Sequence, residues 1–153
     1  MITVLPRFLE HKSGSKYHEV ITFEHLGRKV LVKRYGPISQ FRKPGAGQEP
    51  SLEVLPESAI FQQAADKFVA QKTTAAKGYK RITISHGFHD AMDDIAYSMT
   101  PSEFVTVAKE HYGPQLIERL KVELDINGIG PEMQKPGKKK QESRDRGAGW
   151  GSW

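Results

Sequence analysis

The stretch YHEVITFEHLGRKVLVKRY, residues 17–35, constrains the fold more than any other part of the chain. Over Tyr17–Glu24 an extended backbone puts Tyr17, Glu19, Ile21 and Phe23 on one side and His18, Val20, Thr22 and Glu24 on the other. His25–Arg28, with Gly27 inside it, suits a tight turn. Lys29–Tyr35 then alternates again, with Val30 and Val32 against Lys29, Leu31 and Lys33. Period two on both sides of a glycine turn predicts an antiparallel hairpin. Its second strand ends at Tyr35-Gly36-Pro37 beside Lys33 and Arg34. A solvated sheet edge and a ledge facing nucleic acid both have this composition.

The remaining elements follow from periodicity and punctuation. FRKPGAGQEP (Phe41–Pro50) reads as an irregular loop or wide hairpin, and SLEVL after it as a short strand. Ile60, Phe61, Ala64, Ala65, Phe68, Val69 and Lys72 recur at three- and four-residue spacing. This predicts a helix opening at Pro56–Ser58 and ending near Lys77-Gly78. Tyr79–Ser85 is a strand by alternation. Thr100-Pro101-Ser102-Glu103 is a helix start with a capping box, and Pro114 opens a further helix with Leu116, Ile117, Leu120 and Leu124 as its stripe. The expectation is an α+β protein. A small antiparallel sheet with one packed helix occupies 1–85, a helical extension 86–130, and a disordered tail rich in basic residues, glycine and tryptophan 131–153.

Charge is distributed in blocks. Residues 1–84 hold 14 Lys/Arg and 7 Asp/Glu, residues 85–134 hold 3 and 9, and residues 135–153 hold 6 and 2. A polyanion is attracted to the first and last blocks and repelled by the middle one. The absence of cysteine removes disulfides, thiolate metal sites and a Cys nucleophile. Nothing at the N-terminus reads as a secretory leader, and no segment approaches the ~20 apolar residues of a membrane span. A soluble, cytoplasmic protein is expected.

Three groups of residues are candidates for function. The first is the basic and aromatic set Lys29, Lys33, Arg34, Tyr35, Arg42, Lys43, Lys77, Lys80 and Arg81. Its cations neutralise phosphates while the tyrosine packs on a sugar or base; the same charges also serve to blunt an exposed sheet edge. The second is HGFHDAMDD, where His86, His89 and Asp93 are the best ligand set for a cation. Asp and His at a helix start are equally caps and solvated charge, and no metal or other cofactor is expected. The third is the tail, where Trp150 and Trp153 stand among Gly and Ser after Lys138–Lys140, Arg144 and Arg146. That pattern fits docking to a protein partner or to nucleic acid, or a solubilising end. No nucleophile elbow, phosphate loop or thiol motif marks an enzyme.

The order KYHEVITFE, KVLVKRYGPISQ, ESAIFQQAADKFVAQKTTAAKGY resembles the WGR domain, a DNA-contacting module of poly(ADP-ribose) polymerases and of some bacterial proteins. Lys16, Tyr17 and Glu19 match its first strand. Arg34, Tyr35, Gly36 and Ile38 match the signature turn, and Ala64, Phe68, Lys72, Thr73, Gly78 and Tyr79 match its helix and the exit from it. Tyr35 and Tyr79 replace tryptophans and keep a stacking face. Pro37 replaces the signature arginine, so that residue's contacts do not carry over. The resemblance covers about 15–84 and implies non-catalytic DNA binding. The alternative is a small regulatory adaptor, such as a bacteriophage accessory factor, that binds a partner protein through the acidic helices and the Trp-bearing tail.

Overall fold

The hairpin turns on two residues in the left-handed region, Leu26 at φ 52° and Gly27 at φ 83°. Positive φ at both central positions matches the twist of the flanking strands. It fixes a register in which Val32 faces Ile21, Arg34 faces Glu19 and Tyr35 faces His18. These strands are β2 (Lys16–His25) and β3 (Arg28–Pro37). The computed structural model describes residues 1–43, 50–89 and 95–126. The tail tryptophans Trp150 and Trp153, and Asp93 of the expected ligand set, lie outside the described residues.

The sheet is antiparallel throughout, in the order β4-β3-β2-β1-β5, with β6 pairing a separate part of β1. β1 is Ile2–His11, β4 is Ser51–Leu55, β5 is Tyr79–Ile82 and β6 is Tyr97–Met99. β1 is not among the strands predicted from the sequence; Pro6 interrupts it, and proline normally demotes a strand. Here Pro6 falls between the stretch that pairs β6 (Ile2–Val4) and the stretch that pairs β5 (Phe8–His11). That interval of the outer edge has no ladder partner among the described residues, which suits a residue with no N–H to give.

Both sheet faces are covered. On one, Leu5, Val20, Leu31 and Leu55 pack with Ala65 of α1 (Gln63–Lys72), flanked by Phe68 and Val69. On the other, Ile2, Val4, Ile21, Phe23, Val30 and Val32 meet α2 (Pro101–Tyr112) and α3 (Pro114–Glu123) through Phe104, Ala108, Tyr112, Leu116, Ile117 and Leu120. Each large apolar side chain withdrawn from water contributes roughly 1.5–3 kcal/mol. The acidic helices therefore share one core with the sheet. No helix among the described residues is long and apolar enough to cross a membrane.

Two elements are shorter than their patterns predict. α1 stops at Lys72, and Thr73, its C-cap, still donates its N–H to the Val69 carbonyl before the chain turns. The Thr73 hydroxyl donates to the Val69 carbonyl, and the Thr74 hydroxyl accepts from Lys77 N. β5 ends at Ile82, three residues before the predicted end of the strand.

Candidate nucleic-acid interface and a buried Glu–Arg–His network

Alternation decides which of the predicted basic residues share a face. On β3, Lys33 and Tyr35 project to the α1 side, whereas Arg34 follows Val30 and Val32 to the α2/α3 side. On β5, Arg81 pairs with Leu9 and lies on the α1 side, while Lys80 pairs with Glu10 and lies on the other. Consecutive strand residues cannot form one ledge, so the nine-residue set divides.

Two of its members are not surface groups at all. Lys29 is buried; its Nζ donates to the Glu57 carbonyl at 2.9 Å and lies 3.6 Å from the Glu24 carboxylate. Arg34 is 2% exposed and paired with Glu19. Neither reaches a ligand at the surface, which corrects the expectation for both. Arg42 is exposed on the α2/α3 side, where its Nη1 is 3.1 Å from His86 Nδ1. Lys43 and Lys77 are exposed in turns.

What remains on the α1 side is joined by residues the sequence set omitted. His18 lies across from Tyr35 with ring centroids 5.2 Å apart, and its ring meets Tyr79 at 4.8 Å and Phe68 at 5.5 Å. The ammonium groups of Lys33 and Lys72 flank Phe68 at 5.3 and 5.6 Å from its ring centre. Burial first, then Lys72, Lys16 and Lys33, lowers the His18 pKa to about 4, so these three lysines converge on one imidazole. None of the three has a carboxylate partner among the described residues. Beside them an open cleft of about 440 Å³ is lined by Ser15, Lys16, Tyr17, Tyr35, Gly36, Pro37 and Tyr79. Tyr35 is 49% exposed and offers its ring to solvent. Burial raises the Tyr79 pKa, so that residue stays a neutral phenol. Part of this was readable in advance. The hairpin register sets His18 against Tyr35, and Lys16, Lys72 and Tyr79 are among the residues that carry the WGR resemblance.

The opposite side hides a second constellation. Glu19 Oε1 accepts from Arg34 Nε at 3.0 Å, and Glu19 Oε2 lies 2.7 Å from both His89 Nε2 and His111 Nε2. Arg34 also donates to the carbonyls of His111 (3.1 Å) and Phe41 (3.3 Å), and its guanidinium lies over the rings of Phe41, Tyr112 and Tyr17. Burial alone would raise the Glu19 pKa, but His111, then Arg34, hold it well below the usual carboxylate range. Burial, then Glu19, pushes the Tyr112 phenol well up. Sequence spacing could not have assembled this set: its members stand on β2, β3, the 86–89 turn and the last turn of α2. His89, expected in a ligand set with His86 and Asp93, pairs with His86 only through the backbone; its side chain is bonded to Glu19, on the oxygen that His111 shares.

Glu19, His89 and His111 have the chemistry of a zinc site, with ligand-type atoms within 4.8 Å of one another. Arg34 argues against that use. Its Nη2 lies 3.1 Å from His111 Nε2, and a guanidinium stays charged under any ordinary condition. A second cation in so buried a place would face it without solvent screening. As hydrogen bonding the set gives one carboxylate three donors, with Arg34 as its counter-charge, and leaves His111 Nδ1 without a partner among the described residues. Gly87 closes over it: a Cβ there would come within 2.2 Å of His111 Nδ1, and its φ of +60° also favours glycine.

Comparison with family models, curated proteins and solved structures finds no match to this chain.

Proposed function

We propose that the protein is a non-catalytic nucleic-acid-binding module that holds DNA on the α1 side of its sheet. The observation that carries this reading is a cationic α1 face: Lys33 and Lys72 flank Phe68, Lys16 lines the adjoining cleft between Tyr35 and Tyr79, and none of the three has a carboxylate partner among the described residues. Lysines so placed gain by giving up counterions to phosphates, and an exposed phenol ring gives a base or sugar a surface to pack on. The residues that suggest a WGR-like module support the reading from a second direction, since Lys16, Tyr35, Lys72 and Tyr79 belong both to that resemblance and to this face. Pro37 lines the same cleft, so the contacts differ from those of an arginine-bearing turn. The buried Glu19–Arg34 pair has a supporting role: it fixes the β2–β3 register from behind.

The test is a titration of labelled single-stranded, duplex and nicked DNA. Tyr35→Ala is expected to weaken binding by about 1–3 kcal/mol, the range for loss of one aromatic–base contact. Lys16→Ala and Lys72→Ala weaken it further at low salt. Lys80→Ala, on the other sheet face, leaves it unchanged. Wild-type affinity in the Tyr35 and lysine variants alike would remove this face from consideration.

A further inference from the structure

His18 is the polar group at the centre of this face for which phosphate neutralisation by lysines gives no role. It is half-buried, and among the described residues neither of its ring nitrogens has a hydrogen-bond partner. The groups facing it are Lys16 from its own strand, Lys33 and Tyr35 from β3, Lys72 and Phe68 from α1, and Tyr79 from β5. Beyond Tyr79 lies His11 of β1, with ring centroids 5.0 Å apart. The charges acting on His18 are those of Lys72, Lys16 and Lys33. An imidazole in that setting has both nitrogens idle and is kept from protonation by its burial and, after that, by the same lysines that attract an anion.

We propose that His18 is a proton-linked anion ligand: neutral in the free protein, it takes up one proton when a phosphate group of the nucleic acid settles among Lys16, Lys33 and Lys72, and donates a hydrogen bond to it. This rests on the nucleic-acid reading above and adds a regulation to it. The phosphate cancels the lysine field that disfavours the imidazolium and supplies the acceptor that the ring nitrogens lack. In the free protein His18 titrates at about 4. In the complex the phosphate's own negative charge and its hydrogen bond to the imidazolium oppose the effect of burial as well, so the pKa rises toward the ordinary value, about 6.5. Between those values the complex holds one more proton than its parts, so affinity rises as pH falls through that window and is flat above it. The proton comes from solvent and no bond is made or broken in the nucleic acid.

The experiment uses the full chain and an oligothymidylate of about 20 nucleotides with a 5′-hydroxyl, alongside an alternating A·T duplex. Thymine and phosphodiesters do not titrate in the window, so any pH dependence belongs to the protein. At constant ionic strength the wild type should bind roughly 10- to 30-fold more tightly at about pH 5 than at about pH 7.5. His18→Asn and His18→Gln should lose that dependence while still binding at the higher pH, and His11→Asn should keep it. A readout free of any variant is the NMR titration of the His18 ring, whose pKa should rise by at least one unit when the oligonucleotide saturates the protein. Binding without pH dependence, dependence that survives in both His18 variants, or an unmoved His18 titration overturns this proposal and leaves the nucleic-acid reading standing. No binding of either probe at any pH overturns both.

Discussion

Glu19 and Arg34 face each other across β2 and β3, with side chains 1% exposed in each case and an Nε–Oε1 distance of 3.0 Å. Two charges taken this far from water stabilise a fold only as a pair; separately each is a heavy cost. Glu19→Gln keeps the shape, removes the charge and leaves Arg34 uncompensated. Thermal unfolding should show a loss of about 3–5 kcal/mol, a large share of the 5–15 typical of a whole domain. Replacing both, as Glu19→Gln with Arg34→Met, should cost less than Glu19→Gln alone. The pH behaviour follows from the sign of the Glu19 shift. Its folded pKa lies well below its unfolded value, so its stabilisation is complete above the ordinary carboxylate range and is lost as pH falls below it. Wild type should therefore lose stability on acidification more steeply than Glu19→Gln, measured by denaturant unfolding at pH values from neutral downward. Parallel curves would mean that this carboxylate is not the group that acid neutralises.

At the level of elements, α2 is held at its start by a capping box and at its end by the core. Thr100 Oγ1 accepts from Glu103 N at 3.1 Å, while the Glu103 carboxylate accepts from Thr100 N at 2.9 Å. Thr100→Ala should cost about 1 kcal/mol in chemical denaturation. Because α2 carries His111 into the Glu19 network, amide exchange should also speed up around His111, eleven residues along the chain. This helix was legible because caps and stripes are local signals. The hairpin was legible for the same reason, and its alternation correctly divides Glu19, Ile21 and Phe23 from His18, Val20 and Thr22. β1 was not, since Pro6 is acceptable there only because of how two other strands divide its outer edge. The same limit explains the sites. The lysines can be named from composition, but Arg34 carries the same charge and only its place on the Val30/Val32 side of the alternation sets it apart. Its partner Glu19 is fifteen residues away, and His111 seventy-seven.

For the molecule as a whole, the blocks of charge along the sequence matter less than how charges converge in space. α2 and α3 lie across the sheet from the lysine face, and their Lys109, Arg119 and Lys121 are interspersed with Glu103, Glu110, Glu118 and Glu123. Lys121 is 3.6 Å from Glu118, an exposed pair of the kind that adds little stability but does screen a cation from a distant anion. On the α1 side the three lysines that act on His18 have no carboxylate partner among the described residues. If binding were a matter of net charge, removing any two or three lysines would weaken it alike. If it is localised, the lysines differ in how many counterions they release. The slope of log affinity against log salt for duplex DNA should then fall in magnitude by roughly 2–3 in the triple variant Lys16→Ala/Lys33→Ala/Lys72→Ala, at about 0.9 per phosphate contact. Lys109→Ala/Lys121→Ala should leave that slope as it was. Equal loss per lysine removed in the two variants would mean that DNA senses the total charge and that the cleft between Tyr35 and Tyr79 is not where it binds. A change confined to the first variant would place the phosphates on the α1 side, within reach of His18.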